Sequence, residues 1–309
     1  MNRGVIVGAL AYVLWGLSPI YWRLVDDVGS LDVVLARTIA TLLFLLGIHT
    51  VARTWTRLRS HVRDVRSAGM FVLTAALLSS NWLIFVWAVN DDRVLEASLG
   101  YFINPLVSVV LGVLVLRERL RPVVMGSVAL AAFGVIVLTI DVGTLPWVSL
   151  TLAGTFAAYG LIRKTSPAGS LDGLTLEVSV MAPFALAVLA WRAGTGDGVI
   201  GASVPWRDLW LLGAGVMTAA PLLLFASAAR RIELWLVGML QFIAPTLQFI
   251  LGAIVWDESW SGGQAVGYVL IWAALAIFAV DLVRDATRGA RARGSGDEVE
   301  RVEVEDLGG

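Results

Sequence analysis

The chemistry open to this chain lies in a few polar side chains set within long apolar stretches. Arg37, Glu96 and Glu177 are ionisable residues inside such stretches. An ionisable residue costs about 2.5–3.5 kcal/mol at the centre of a membrane span, so each should face a cavity or a partner. A salt bridge between Arg37 and Glu96 would remove two isolated charges at once. The alternative is that Glu96 only starts a helix, where negative charge is favoured.

A second group of polar and aromatic side chains is suited to binding a solute rather than reacting with one. Aromatic walls with a few hydrogen-bonding groups suit a small, partly apolar or zwitterionic solute. For each member, helix packing is the alternative to pocket lining. The group comprises Trp15, Ser18, Tyr21, Asn81, Trp82, Trp87, Tyr101, Asn104, Tyr159, Gln241 and Gln248.

No pattern in the sequence indicates catalysis. The chain has no cysteine, and its two histidines, His49 and His61, have no acidic or serine partner within an apolar stretch. No glycine-rich loop with a lysine is present to bind phosphate. We therefore expect no enzyme activity, no metal and no cofactor.

The elements that position these residues are predicted to be membrane-spanning helices. The chain has 309 residues, 58% hydrophobic and 15% charged, with a mean hydropathy of +0.81. This composition is typical of a polytopic membrane protein, and the net charge of −1 gives no argument for nucleic acid. A span needs about 20 apolar residues. Ten segments qualify: 4–24, 31–52, 68–90, 95–116, 122–140, 146–163, 172–191, 208–229, 234–256 and 263–283.

The placement of basic residues predicts that both termini are cytoplasmic. With that orientation, 17 Arg and Lys residues fall on the inside and four at the outside, as the positive-inside rule requires. The start of the chain reads as a retained first span, since no small-residue cleavage site follows a short apolar core. Residues 284–309 are polar and mixed in charge, which predicts a disordered cytoplasmic tail.

An internal repeat appears when the sequence is shifted by 140 residues. The stretch "GYFINPLVSVVLGVLVLRE" (100–118) falls on "LQFIAPTLQFILGAIVWDE" (240–258), and Leu31-Asp32 falls on Leu171-Asp172. Residues 1–141 and 142–283 then form two repeats of five spans, which an odd span number forces into opposite orientations. Inverted repeats are typical of secondary transporters. A duplicated scaffold without transport is the alternative.

The repeat pairs residues that could act in gating. Arg37 falls on Glu177, and in inverted repeats the two would lie towards opposite faces of the membrane. Their opposite charges could then hold different gates closed in the two halves. Pro105 and Pro245 share one position and predict two helix kinks, since proline removes a backbone donor. A mirrored pair of kinked helices could line one pathway. Plain packing is the alternative, because proline is common in membrane helices.

Six stretches along the chain carry a family resemblance: "YVLWGLSPIYW" (12–22), "NWLIFVWAVN" (81–90), "LEASLGYFINPLV" (95–107), "LRER" (116–119), "YGLIRK" (159–164) and "QFIAPTLQFIL" (241–251). They resemble the RarD-type permeases of the EamA group, in the drug/metabolite transporter superfamily. The resemblance implies a ten-helix inner-membrane carrier of two inverted halves. With the residue patterns, it favours a secondary-active exporter of small drugs or metabolites that works by alternating access. A non-transporting scaffold or signalling protein is the alternative. The expected partners are a small solute and the lipid bilayer, without nucleic acid, and a homodimer is left open.

Overall fold

The protein is helical throughout the residues that the computed structural model describes, 3–63, 65–91, 93–143, 147–196, 205–257 and 261–306. Short helical turns at Arg23–Val25 (3₁₀) and Leu251–Val255 (π) supplement the main helices. The main helices are α1 Arg3–Trp22, α2 Ser30–Val51, α3 Trp55–Arg63, α4 Val65–Asn90, α5 Val94–Leu114, α6 Pro122–Val142, α7 Trp147–Thr165, α8 Ser170–Thr195, α9 Pro205–Ala229, α10 Leu234–Gln241, α11 Ile243–Ile250 and α12 Gly262–Asp306.

Within the described residues, nine helical stretches are long and apolar enough to cross a membrane. Each coincides with a span predicted from the sequence, and one of them runs through α10, α11 and the π turn. The remaining predicted span, 146–163, forms α7, which is helical over 19 residues but is not among the nine. Polar residues in α7, including Arg163 and Lys164 in its last turn, lower its mean hydropathy.

Helix α7 nevertheless extends alongside α5, which is one of the nine. Near the start of α5, Ser149 donates a hydrogen bond to the backbone oxygen of Glu96. Just beyond the end of α5, Lys164 Nζ lies 3.4 Å from Glu118 Oε1. Since the two contacts lie at opposite ends of α5, α7 covers the same depth of the bundle. This placement favours a tenth crossing.

The 140-residue shift recurs in the positions of the helices. The first residues of α2 and α8, α4 and α9, α5 and α10, and α6 and α12 are 140 residues apart in every pair. Arg117 and Asp257, also 140 apart, have φ of 55° and 53°. Positive φ is uncommon outside glycine, so its recurrence at one offset supports the repeat. Glu258, the repeat partner of Glu118, lies outside the described residues.

The two halves pack directly against each other. Helix α1 contacts α9 and α11, α2 contacts α8 and α9, α5 contacts α7 and α10, and α6 contacts α12. Glycine permits close approaches between them: a Cβ added at Gly238 of α10 would lie 2.7 Å from the carbonyl oxygen of Pro105 in α5. Small residues at helix interfaces let backbones approach where lipid supplies no hydrophobic driving force.

The two proline-containing helices differ in shape. Helix α5 passes through Pro105 without interruption. The second copy breaks at Phe242, between α10 and α11, and then forms the π turn. Pro245 has no N–H for the carbonyl of Gln241, just as Pro105 has none for that of Tyr101, so the missing hydrogen bond alone does not account for the difference. The sequence equivalence therefore does not produce two geometrically equivalent kinks.

The structure differs from the sequence interpretation in two further segments. The basic connection after α2, interpreted as a loop, contains the helix α3. Helix α12 continues to Asp306, past the candidate span that ends at Arg284 and through the predicted disordered tail. A formed helix is extended at low cost, whereas a polar helix alone is marginal in water. Disorder of the free tail in solution stays a prediction.

Candidate functional site

The bundle has two ends, which we name after the aspartates in the first turns of α2 and α8. The Asp32 end holds the start of α2 and the end of α8. The Asp172 end holds the start of α8 and the end of α2. Candidate side chains lie at both ends and between them.

Arg37 lies about two turns into α2 from the Asp32 end, among aromatic side chains. Its Cζ is 4.3 Å from the ring centroid of Trp82 and 5.7 Å from that of Trp22. Tyr101 is close enough to interact with it electrostatically. Arg37 as a whole is half-buried, and its buried Nε has no hydrogen-bond partner in the described part of the chain. The structure thus brings Arg37, Trp82 and Tyr101 together, as a binding site requires.

Glu96 does not pair with Arg37. Its Oε1 lies 3.3 Å from Nη1 of Arg93, which is three residues earlier and therefore on the same turn. Glu96 occupies the first turn of α5, where the helix dipole favours a carboxylate. Of the two interpretations open from the sequence, the structure supports the helix start.

Polar groups also meet in the middle of the bundle, between α5 and α10. Gln241 Nε2 donates a hydrogen bond to Ser108 Oγ over 3.3 Å. Asn104 and Gln241 are both buried, and each has a side-chain oxygen without a hydrogen-bond partner among the described residues. Such oxygens usually find partners in proteins, so ordered water or a solute is expected beside them.

An aromatic cluster joins the two halves next to these groups. Trp15 of α1 lies 5.7 Å from Phe156 and 5.9 Å from Phe225, between ring centroids. Tyr159 stacks on Phe225 at 6.0 Å with an interplanar angle of 16°. Tyr12 completes the cluster from α1. Trp15 and Tyr159 therefore pack in a cluster that links α1, α7 and α9.

A buried ion pair lies beside Tyr159. Arg163 Nη1 is 3.6 Å from Glu177 Oε1, and the Tyr159 hydroxyl donates to Glu177 Oε2 over 3.1 Å. Arg163 and Glu177 are both 0% exposed. The pair joins α7 to α8, both in the second half, while Arg37 contacts tryptophans of the first half. The hypothesis that Arg37 and Glu177 act at different gates, one in each half, stays a prediction.

Two other ion pairs connect the halves at opposite ends of the bundle. At one end Arg192 Nε lies 2.9 Å from Asp32 Oδ1, joining α8 to α2. At the other end Arg57 Nε lies 2.6 Å from Asp172 Oδ2, joining α3 to α8. Asp32 and Asp172 are repeat partners, and both are buried. We call these contacts the Asp32 clasp and the Asp172 clasp.

Both histidines of the chain approach the Asp172 clasp, contrary to the expectation that they lack an acidic partner. The Nε2 atoms of His49 and His61 lie 3.9 Å and 3.7 Å from the Asp172 carboxylate. Residues 49, 61 and 172 are distant in sequence, so no spacing pattern could show this. Arg230, outside the spans, also faces Asp172, and partial burial, followed by the charge of Arg163, lowers the pKa of Arg230.

The other predicted site residues make contacts within or between helices. Ser18 and Gln248 both donate to the backbone oxygen of Trp15, the former within α1 and the latter from α11. Asn81 Nδ2 donates to the Leu152 oxygen over 2.8 Å and so ties α4 to α7. The remaining two lie near the Asp32 end, where Tyr21 donates to the Trp210 oxygen and Trp87 packs on Trp147.

Glu118 has a structural role that the sequence did not indicate. Its carboxylate accepts hydrogen bonds from the backbone N–H groups of Leu234 at 2.8 Å and Trp235 at 3.0 Å. Glu118 thus caps the first turn of α10 from the other half of the chain, and Lys164 balances its charge.

We expect Glu118→Ala to lower the free energy of unfolding by about 1–2 kcal/mol, the usual cost of losing a helix cap. Thermal unfolding of the purified protein, followed by tryptophan fluorescence, measures the change. Glu233→Ala is the matched control, because Glu233 is exposed and its side chain makes no cap hydrogen bond to α10. Equal melting temperatures for Glu118→Ala and the unmodified protein would contradict the capping role.

Comparisons with known proteins agree with this fold. Residues 2–140 match the model of the EamA-like transporter family. The protein named "Protein RarD" of Streptomyces exfoliatus is 41% identical over 293 residues, covering 94% of this chain and 92% of that protein. "Uncharacterized transporter YojE" of Bacillus subtilis (strain 168) is 40% identical over 286 residues, covering 92% and 95%. A solved crystal structure with 18% identity covers 91% of this chain and 98% of that one, with a TM-score of 0.66, and shares the fold.

Proposed function

The chain belongs to the RarD group of the EamA-like transporter family, and from this premise we propose that it is a secondary-active exporter of small drugs or metabolites that works by alternating access. Membership makes it a multi-pass protein of the bacterial inner membrane and a membrane transporter of the drug/metabolite family. The direction of transport and the mechanism are the proposed part.

In the proposed topology, ten helices cross the membrane as two inverted repeats, 1–141 and 142–283, with both termini in the cytoplasm. The Asp32 end then faces outward and the Asp172 end faces the cytoplasm. The position of α7 alongside α5 supports the tenth crossing. The basic helix α3 lies at the Asp172 end, as the positive-inside rule favours.

The observation that carries the mechanism is the pair of mirrored clasps. Each joins the first half to the second at one end of the α2 and α8 helices. Opening one end requires one clasp to break while the other stays closed, which gives a solute access from one side at a time. Both clasps are formed in this structure. A solute gradient, or a proton gradient acting on carboxylates in the bundle, supplies the energy.

Breaking one clasp or the other is expected to have opposite effects on the ratio of the outward-open to the inward-open state. Asp32→Asn should favour opening to the outside, and Asp172→Asn opening to the cytoplasm. A loss of about 1–2 kcal/mol at one end shifts the ratio of the two states about five- to thirtyfold. The chain has no cysteine, so Asn104→Cys introduces a single reporter in the middle of the bundle.

The measurement is the labelling rate of that cysteine by a membrane-impermeant thiol reagent, added to one side of oriented vesicles. We expect faster labelling from the outside for Asp32→Asn and from the inside for Asp172→Asn. Asp26→Asn, at an exposed position near the Asp32 end, should leave both rates unchanged. A change in the same direction for both clasp variants would refute the mirrored arrangement.

Transport itself is tested with the whole protein in proteoliposomes. The flux of loaded metabolite extracts is followed by mass spectrometry, with and without a pH gradient. We expect loss of some solutes from protein-containing vesicles and retention of all of them in empty ones. Identical retention in both would favour the non-transporting alternative.

A further inference from the structure

Arg37 differs from the other arginines inside the bundle in what neutralises it. Arg163 and Arg192 each form an ion pair with a carboxylate. Arg37 forms none with any described residue and instead contacts aromatic rings. A cation–π contact contributes about 0.5–2 kcal/mol, which is less than the cost of an arginine placed deep in a membrane span. The charge of Arg37 is therefore only partly compensated.

The way Arg37 contacts its neighbours leaves its hydrogen-bonding edge available. Trp82 lies over the guanidinium with its ring centroid 4.3 Å from Cζ. A guanidinium carries its N–H groups in the plane of the group, pointing outward. The buried Nε has no hydrogen-bond partner within the part of the chain described. A planar carboxylate fits such an edge with two parallel hydrogen bonds.

The surroundings of Arg37 suit an apolar body attached to the carboxylate. Trp22, Trp82 and Tyr101 come from three different helices, α1, α4 and α5. Helix α4 packs mainly on α7 and α8 and only lightly on α2 and α5, so the side chains between them are not tightly enclosed. Trp82 and Trp22 are themselves only half-buried.

We propose that Arg37, Trp22, Trp82 and Tyr101 form the recognition site for an amphipathic organic anion, with the solute carboxylate on Arg37 and its apolar part against the aromatic rings. The proposal rests on the proposed transport function and names the class of its substrate. Cations are disfavoured, because Arg37 repels them and no unpaired carboxylate of the described residues faces this group.

The test uses the detergent-purified full-length protein and three solutes of one shape: 3-phenylpropionate, 3-phenylpropionamide and 3-phenylpropylamine. Binding is measured by isothermal titration calorimetry and by the rise in melting temperature. We expect the carboxylate to bind and to raise the melting temperature, and the amide and amine to do neither. Arg37→Gln should weaken carboxylate binding about tenfold to a hundredfold, as expected for a charge-assisted hydrogen bond.

Matched variants separate the site from general effects of charge. Arg23→Gln removes another arginine stacked on a tryptophan, since Arg23 Cζ lies 3.8 Å from the Trp256 ring, but at an exposed position. It should bind 3-phenylpropionate as the unmodified protein does. Arg37→Lys keeps the charge but loses the planar arrangement of N–H donors, so it should bind 3-phenylpropionate with intermediate affinity. Melting temperatures without solute show that each variant folds.

Three results would overturn the inference: equal binding of the amide or amine, unchanged binding by Arg37→Gln, or an equal Arg37-dependent effect of chloride alone. Failure of the Arg37 site can be distinguished from failure of the proposed transport function. Arg37-dependent carboxylate binding without any flux in proteoliposomes supports the site and refutes transport. Flux of carboxylate solutes that Arg37→Gln leaves unchanged supports transport and refutes the site.

Discussion

Replacement of Glu177 by alanine is expected to lower the free energy of unfolding by about 3–5 kcal/mol, the usual cost of removing one partner of a buried ion pair. Arg163 would remain fully buried with its charge opposed only by neutral groups, such as the Gly169 carbonyl that it contacts at 3.1 Å. The Tyr159 hydroxyl would lose its acceptor as well. The readouts are expression in the membrane fraction and the melting temperature of the purified protein.

Two further variants test the cause of that loss. Replacing both charges, with Arg163→Met and Glu177→Leu, should recover much of the stability, because no unpaired charge is left in the interior. Asp91→Ala breaks an exposed pair with Arg93 instead, at 3.0 Å, and should cost about 1 kcal/mol or less. If the double variant were as unstable as Glu177→Ala alone, the ion pair would not be the reason.

Gly215→Ala is expected to destabilise the contact between α2 and α9. A Cβ at this position would lie 2.7 Å from the backbone nitrogen of Thr41 and closer still to the carbonyl group of Ala40. Backbone atoms cannot rotate away as a flexible side chain can, so the helices must separate. Overpacking of this kind costs about 1–3 kcal/mol. The melting temperature and the transport rate should both fall.

Gly47→Ala is the matched control on the partner helix. A Cβ at Gly47 would meet nothing within 4 Å. Alanine is favoured over glycine in a helix by about 0.5–1 kcal/mol, so this variant should be as stable as the unmodified protein or more so. Opposite signs for Gly215→Ala and Gly47→Ala are expected. An equal loss of stability in the two variants would show that the clash of a Cβ at Gly215 with α2 is not the cause.

The clasps, the aromatic cluster and the Arg37 site lie at different depths in the bundle. The clasps connect the halves at the two ends of the bundle. The aromatic cluster connects them near the middle, where α1 meets α7 and α9. Arg37 lies between the Asp32 end and this cluster. A solute on Arg37 would thus be reached from the Asp32 end once the Asp32 clasp breaks, while the aromatic cluster separates it from the Asp172 end.

The contacts of individual charged residues were not predictable from the sequence. The sequence placed Glu96 at the start of a helix. Whether its carboxylate contacts Arg93 or Arg37 depends on the distance between α2 and α5. His49, His61 and Arg57 converge on Asp172 from positions more than 100 residues away. Glu118 caps α10 across a similar separation. Apolar periodicity and charge patterns describe neighbours along the chain and hold no information about such contacts.

The sequence by itself determined the helical class, the positions of the predicted spans and the resemblance to the RarD-type permeases. These follow from the length of apolar segments, since a helix must satisfy its own backbone hydrogen bonds in lipid. It also indicated the repeat, through residues held at one offset. Only the tertiary structure decided which charges meet, which prolines break a helix, and that Arg37 stacks on tryptophan while Glu177 pairs with Arg163. Those outcomes depend on distances between helices, which packing of the two halves sets.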